Sequence, residues 1–221
     1  MKSRSPKITD LIERIIPKRS WAPVAFVALL NLIGYCSINT LMDLSRCHQL
    51  MLPIDELIPF RPFFIVFYFL TFLQWAVNWI MIGRQEKSFC YRYAKADSIA
   101  KLLCFICFIV YPTIIVRPSV EVTDFFTWLV SVTYWFDSNP VNIMPSIHVL
   151  GSWIAVRAAL QMKDVSWLYK AANIIMLVMC CLSVVYVKQH YVIDIPTGIL
   201  VTEIGLAASK LTDNERFLWL S

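Results

Sequence analysis

Pro145-Ser146-Ile147-His148 and Lys188-Gln189-His190-Tyr191-Val192-Ile193-Asp194 are two short polar islands in a chain that is otherwise largely apolar. They hold two of its three histidines. The whole chain is 58% hydrophobic and 16% charged, whereas ordinary soluble domains carry about a quarter charged residues. Its apolar residues gather into runs long enough to cross a bilayer, which takes about 20. The reading is an all-α, polytopic integral membrane protein with a bundle of six transmembrane helices. The polar islands then sit at the ends of spans, and the other segments frame them.

Working outward, the first island opens a fourth span, Ile143 to Leu160. A fifth, Ala171 to Val187, runs into the second island, and a sixth, Tyr191 to Ser209, leaves it. Upstream lie Ala22 to Met42, Pro62 to Gly83 and Ile99 to Val116, the last kinked at its far end by Pro112 and closed by Arg117-Pro118. Gln74 and Asn78, one turn apart on the second span, should hydrogen-bond to a neighbouring helix. Residues 1–20 are a basic amphipathic segment with Ile8, Leu11, Ile12, Ile15 and Ile16 at helical spacing, suited to a membrane surface. Residues 21–210 form the membrane domain and 211–221 a short polar tail. The first span follows a long charged segment without a small-residue cleavage site, so it reads as a retained helix. Between Asp124 and Asp137, six aromatic residues occupy a segment too short to span and suited to the headgroup layer.

Six spans put both termini on one side. Of the 20 Lys and Arg residues, only Arg46, Arg61, Arg117 and Lys188 fall on the other. By the positive-inside rule the termini are cytoplasmic and the islands face the exoplasmic side, most simply of a cell membrane. This asymmetry accounts for the net charge of +5 and excludes nucleic acid as a partner. Cys36, Cys104, Cys107, Cys180 and Cys181 lie inside apolar runs and read as small apolar filler, with Cys47 and Cys90 in loops on opposite sides.

On this topology Arg117, His148, Lys188 and His190 converge at one depth. His190 and Asp194 are four residues apart, one face of a helix. The carboxylate would fix the imidazole tautomer and leave the other ring nitrogen as a nucleophile. Tyr191 would support the turn and face the headgroups. The chemistry that fits is phosphoryl transfer. His190 attacks phosphorus, and His148 protonates the leaving group and later deprotonates the acceptor. Arg117 and Lys188 hold the equatorial oxygens, with Ser146 and the N-terminal N–H groups of the fourth span as added donors. No acidic or His/Cys cluster points to a metal, and no cofactor is called for. His48 reads as an interfacial bystander.

Pro-Ser-x-His followed by His-x-x-x-Asp resembles the type 2 phosphatidate phosphatase and vanadium haloperoxidase superfamily, whose membrane members have six spans and an outward-facing site. The resemblance covers roughly residues 110–205. Arg117-Pro118 matches the first motif, with Val110 at its lysine position. Pro145, Ser146 and His148 match the second, with Ile147 for glycine. Ser183, His190 and Asp194 match the third, with Val184 at its arginine position. Lys188 stands ready to replace a missing cation. The Lys-Gln-His-Tyr-x-x-Asp form is similar to a divergent branch related to inositol phosphorylceramide and sphingomyelin synthases.

The leading reading is therefore a metal-independent membrane phosphatase acting on a lipid phosphomonoester or polyprenyl diphosphate. The alternatives are a lipid headgroup phosphotransferase, which uses an alcohol in place of water, and a non-catalytic lipid-binding protein that keeps the fold. Spacing gives one further expectation. Arg157 lies nine residues past His148, and Glu203 nine past Asp194. At 1.5 Å per residue both sit about 13.5 Å below the site and should pair.

Overall fold

The computed structural model describes residues 8–211. Among these, the chain forms helices α1 Ile8–Ile15, α2 Trp21–Leu41, α3 Pro53–Leu57, α4 Ile65–Arg84, α5 Lys87–Val110, α6 Phe125–Phe136, α7 Ile147–Gln161, α8 Trp167–Tyr186 and α9 Asp194–Leu211. Lys2, Arg4, Lys7 and Arg216, and the polar tail past Leu211, lie outside the described residues. Of the expected amphipathic segment, α1 presents Ile12 and Ile15 outward.

Among the described residues, three segments are long and apolar enough to cross a membrane: Lys18–Leu41, Pro62–Arg84 and Trp167–Tyr186. The other three expected spans fall short for visible reasons. Helix α5 carries Lys95, Asp97 and Lys101, α7 has only 15 residues, and α9 carries Asp194, Glu203 and Lys210. All six belong to one bundle. Helix α7 packs on α4, α5, α8 and α9, while α5 packs on α2 and α9.

Several boundaries differ from expectation. The basic stretch after Arg84 is not a loop, because α5 begins at Lys87. Buried Cys90, Tyr93, Asp97, Ala100 and Cys104 recur at helical spacing, so one face of this charged stretch belongs to the core. Pro112 does not kink a helix, because α5 has already ended at Val110. Tyr111, the residue before the proline, leaves the helical region at φ −135°, ψ 72°, as proline steric demands favour. Helix α7 starts four residues late because Ser146 caps it, accepting the Val149 N–H at 3.3 Å.

The helices approach one another closely where side chains are small. A Cβ on Gly205 of α9 would collide with the carbonyl oxygen of Ala96 and sit 3.1 Å from Ala100 Cβ on α5. Two expected polar contacts are present. Gln74 Nε2 donates to Asn173 Oδ1 at 3.1 Å, and Tyr169 Oη donates to Asn78 Oδ1 at 3.2 Å, both joining α4 to α8. Arg157 Nε lies 3.4 Å from Glu203 Oε1, the pair anticipated from the nine-residue spacing. Trp153 Nε1 donates to the same oxygen at 2.6 Å, so α7 grips α9 twice.

At the opposite end the loops are tied together by backbone bonds. His48 N–H donates to Pro112 O at 2.8 Å, Ile114 N–H to His48 O at 3.0 Å, and Ile115 N–H to Pro140 O at 3.0 Å. His48 itself stacks on Tyr111 with ring centroids 4.4 Å apart, a packing role away from the other histidines. The aromatic segment is helix α6, and Tyr134 Oη donates to Val187 O at 2.7 Å beside the second polar island.

Candidate active site

Helix α8 ends at Tyr186 and the chain reverses at once. Lys188 adopts φ 50°, the left-handed region that few side chains favour. The reversal lets the N–H groups of Gln189 and His190 donate together to Val184 O, at 2.8 and 3.0 Å. Val184, at the position where the resembled family has arginine, is fully buried in an apolar cluster behind this turn. The turn folds His190 back toward the bundle, where it is 5% exposed.

His190 therefore lies before α9 and not on it, a correction to the one-helix-face expectation. The contact with Asp194 survives because Asp194 is the first residue of the helix. His190 Nδ1 is 3.2 Å from Asp194 Oδ2, and that oxygen also accepts the Tyr191 N–H at 2.8 Å. A carboxylate at a helix N-terminus is favourably placed electrostatically. It fixes the imidazole ring while closing the local turn.

The first island meets the second through backbone. Ser146 N–H donates to Asp194 O at 3.2 Å. Gly198 makes the approach possible, since a Cβ there would sit 2.7 Å from Ser146 O. With the two helix N-termini side by side, His148 Nδ1 lies 3.3 Å from His190 Nε2, and the ring centroids are 5.4 Å apart. Tyr68, Phe72 and Trp75 of α4 surround His148, with centroids at 4.7, 5.6 and 5.8 Å. These rings set its orientation.

Arg117 reaches the same region from the extended segment after α5. Its Nη1 donates to Asp137 O at 2.5 Å and its Nη2 to Gln189 Oε1 at 2.6 Å, and it pairs with the Asp137 carboxylate. The guanidinium lies 4.7 Å over the Tyr134 ring. Lys188 turns toward α3, where Nζ donates to Asp55 O at 3.2 Å and Ile58 O at 2.6 Å. Burial lowers its pKa from the ordinary lysine value, and the Asp55 carboxylate opposes that shift. Ser146 is fully buried as the α7 cap and lines neither of the cavities described next. Tyr191 does not face the headgroups. It is 4% exposed, and its Oη accepts the Val116 N–H at 3.4 Å.

His190 lines two cavities. One, of about 610 Å³, has mostly aromatic and aliphatic walls, including Tyr35, Phe72, Trp75 and Phe136, and also holds His148. The other, of about 490 Å³, is also lined by Arg117, Lys188, Asp55, Glu56 and Tyr191. The imidazole thus meets mostly apolar volume in one cavity and cations in the other. A ring nitrogen fixed by a carboxylate, a second imidazole in contact with its other nitrogen, and cations beside it can support transfer of an anionic group.

Residues 57–208 match the PAP2 superfamily. The chain belongs to that superfamily. A search of curated proteins found no match. Membership in the PAP2 superfamily, with the apolar helices, identifies a membrane protein with a phosphatase-type lipid phosphate function in general. Val110, at the position where the resembled family has lysine, is exposed at the end of α5, and Val184 is sealed in the core.

Asp55, Asp137, Asn142 and Gln189 were missed in the sequence. Each reaches the site through a turn or a distant loop, which no helical or strand period reveals. Gln189 alone carried a signal, its place beside His190.

Proposed function

We propose that this protein hydrolyses a lipid phosphate at the exoplasmic face of a membrane through a phosphohistidine on His190. The observation that carries the proposal is the linear arrangement Asp194–His190–His148, with contacts of 3.2 and 3.3 Å at opposite nitrogens of one imidazole. Asp194 accepts the Nδ1 proton and leaves the Nε2 lone pair free to attack phosphorus. A phosphoryl group bonded to Nε2 brings its oxygens within reach of His148, whose ring exchanges one contact for another. As the P–O ester bond breaks, protonated His148 gives its proton to the leaving alkoxide. Neutral His148 then takes a proton from water, which attacks phosphorus, breaks the P–N bond and releases inorganic phosphate.

Arg117 supplies charge toward the phosphoryl oxygens, with its geometry fixed by Asp137 and Gln189. Lys188 adds charge from the opposite wall while holding the loop. This mechanism draws on no metal. Six bundle helices act as spans in this reading, with α5, α7 and α9 shielded by their neighbours, and cytoplasmic termini follow from the distribution of Lys and Arg.

A second reading has one observation in its favour. Because His190 lines two cavities of unlike chemistry, an alcohol could take the place of water as acceptor, giving headgroup transfer. Phosphate release from a panel of lipid phosphates, with and without added alcohols, separates the two. Hydrolysis predicts free phosphate from wild type and almost none from His190→Ala; transfer predicts the phosphate ester of the added alcohol instead. Wild-type activity in His190→Ala would contradict both.

A further inference from the structure

Asn142 and Gln189 are each 4% exposed and line the cavity that also holds His148 and His190. Both side-chain atoms of Asn142, and Nε2 of Gln189, have no hydrogen-bond partner among the described residues. Gln189 Oε1 is already committed to Arg117, so its amide nitrogen is what remains. Buried amide groups without partners are costly, and native proteins rarely tolerate several together unless something else satisfies them. Asn142 is also held at φ 61°, a left-handed conformation that asparagine adopts more readily than most residues. The remaining walls are largely aromatic and aliphatic, and no Lys or Arg lines this cavity. Asn31, Asn39, Thr40, Thr133 and Asp137 also line it, and Asn31 Oδ1 is likewise without a partner among the described residues. The part of a ligand that fits here is therefore uncharged and mainly apolar, with a neutral hydrogen-bonding group where Gln189 adjoins His190.

We infer that Asn142 and Gln189 are specificity-determining residues that read a neutral hydrogen-bonding group carried by the substrate beside its phosphate. The inference rests on the lipid-phosphate reading above and narrows it. With the phosphoryl group at His190, an ester carbonyl near the phosphate accepts from the Asn142 and Gln189 N–H groups, and a hydroxyl or amide can also donate to Asn142 Oδ1. A polyprenyl chain, hydrocarbon up to its terminal oxygen, leaves them unpaired. A site built to hydrogen-bond one ligand discriminates strongly against an analogue that lacks the group.

The test compares kcat/KM for phosphate release from a short-chain phosphatidate and from farnesyl phosphate, each in mixed micelles with the purified full chain. Wild type should favour phosphatidate. Asn142→Gly and Asn142→Asp both accept the positive φ, so neither strains the backbone. Gln189→Glu keeps an acceptor for Arg117 while removing the free amide nitrogen. Each variant should shrink the phosphatidate-to-farnesyl preference by about tenfold, with unfolding temperature recorded alongside. Equal use of both lipids by wild type, or a preference for farnesyl phosphate, overturns the inference whatever the variants do, and leaves the phosphatase reading standing. So does an unchanged ratio in folded variants, which would mean that water alone satisfies the amides. Release from neither lipid removes the phosphatase reading as well.

Discussion

The Asp55 carboxylate accepts the backbone N–H of Val192 at 2.8 Å, two residues beyond His190. Its second oxygen accepts the Leu52 N–H, also at 2.8 Å, at the start of α3. From the other direction, Lys188 Nζ donates to carbonyls of the α3 segment. Two loops far apart in sequence are thus stitched by reciprocal bonds on either side of one imidazole. Asn at position 55 can accept only one of the two N–H groups, and Ala neither. Both bonds are part-buried, so each one lost costs about 0.5–1.5 kcal/mol. Asp55→Asn should lower the unfolding temperature and kcat, and Asp55→Ala should lower both further. Thermal unfolding beside lipid phosphatase assays checks the order; equal behaviour of the two variants would contradict it.

Gly198 sets the distance between the histidines without touching either. A methyl group there meets the Ser146 carbonyl at 2.7 Å, and a backbone atom cannot step aside alone. In Gly198→Ala the N-termini of α7 and α9 must separate, carrying His148 from His190. Strain of this kind costs about 1–3 kcal/mol in stability, and misplacement by about 1 Å costs on the order of a hundredfold in rate. A kcat loss well beyond the stability loss is the expected pattern. Wild-type turnover would show that the close approach is unimportant.

In the first step His148 should matter only where the leaving group needs a proton, while its part in the hydrolysis of the phosphohistidine is common to all substrates. With a lipid phosphate, His148→Ala is expected to lower kcat by about 10²–10⁴. With 4-nitrophenyl phosphate, whose phenolate departs unprotonated, the first step should lose far less. Burst kinetics on the two substrates read this difference. An equal defect on both in the burst phase would assign His148 a structural role.

Much of this was legible in the sequence, for identifiable reasons. Apolar runs locate α2, α4 and α8, since nothing else accounts for such lengths without charge. The His190–Asp194 spacing points to the contact, although the contact forms through a turn before α9 and not along a helix face. The Arg157–Glu203 pair follows from a common count along parallel helices. The start of α5 is obscured because Lys87, Arg92 and Lys95 lie outside the core face that Cys90, Tyr93 and Ala100 carry, while the buried charges Asp97 and Lys101 pair with each other at 2.7 Å. Lys188 looks like a phosphate ligand by position, yet its ammonium is engaged by carbonyls that only the folded loop supplies. Arg117 is legible as a cation, but its partners Asp137 and Gln189 lie 20 and 72 residues away.

Covalent labelling tests the central claim most directly. Purified protein is mixed with a lipid phosphate carrying radioactive phosphorus, quenched in alkali within a turnover, and digested to locate the label. The account predicts an acid-labile phosphohistidine on His190 in wild type and no label in His190→Ala. Steady turnover with no covalent label at any quench time, or a label that persists in His190→Ala, would contradict it.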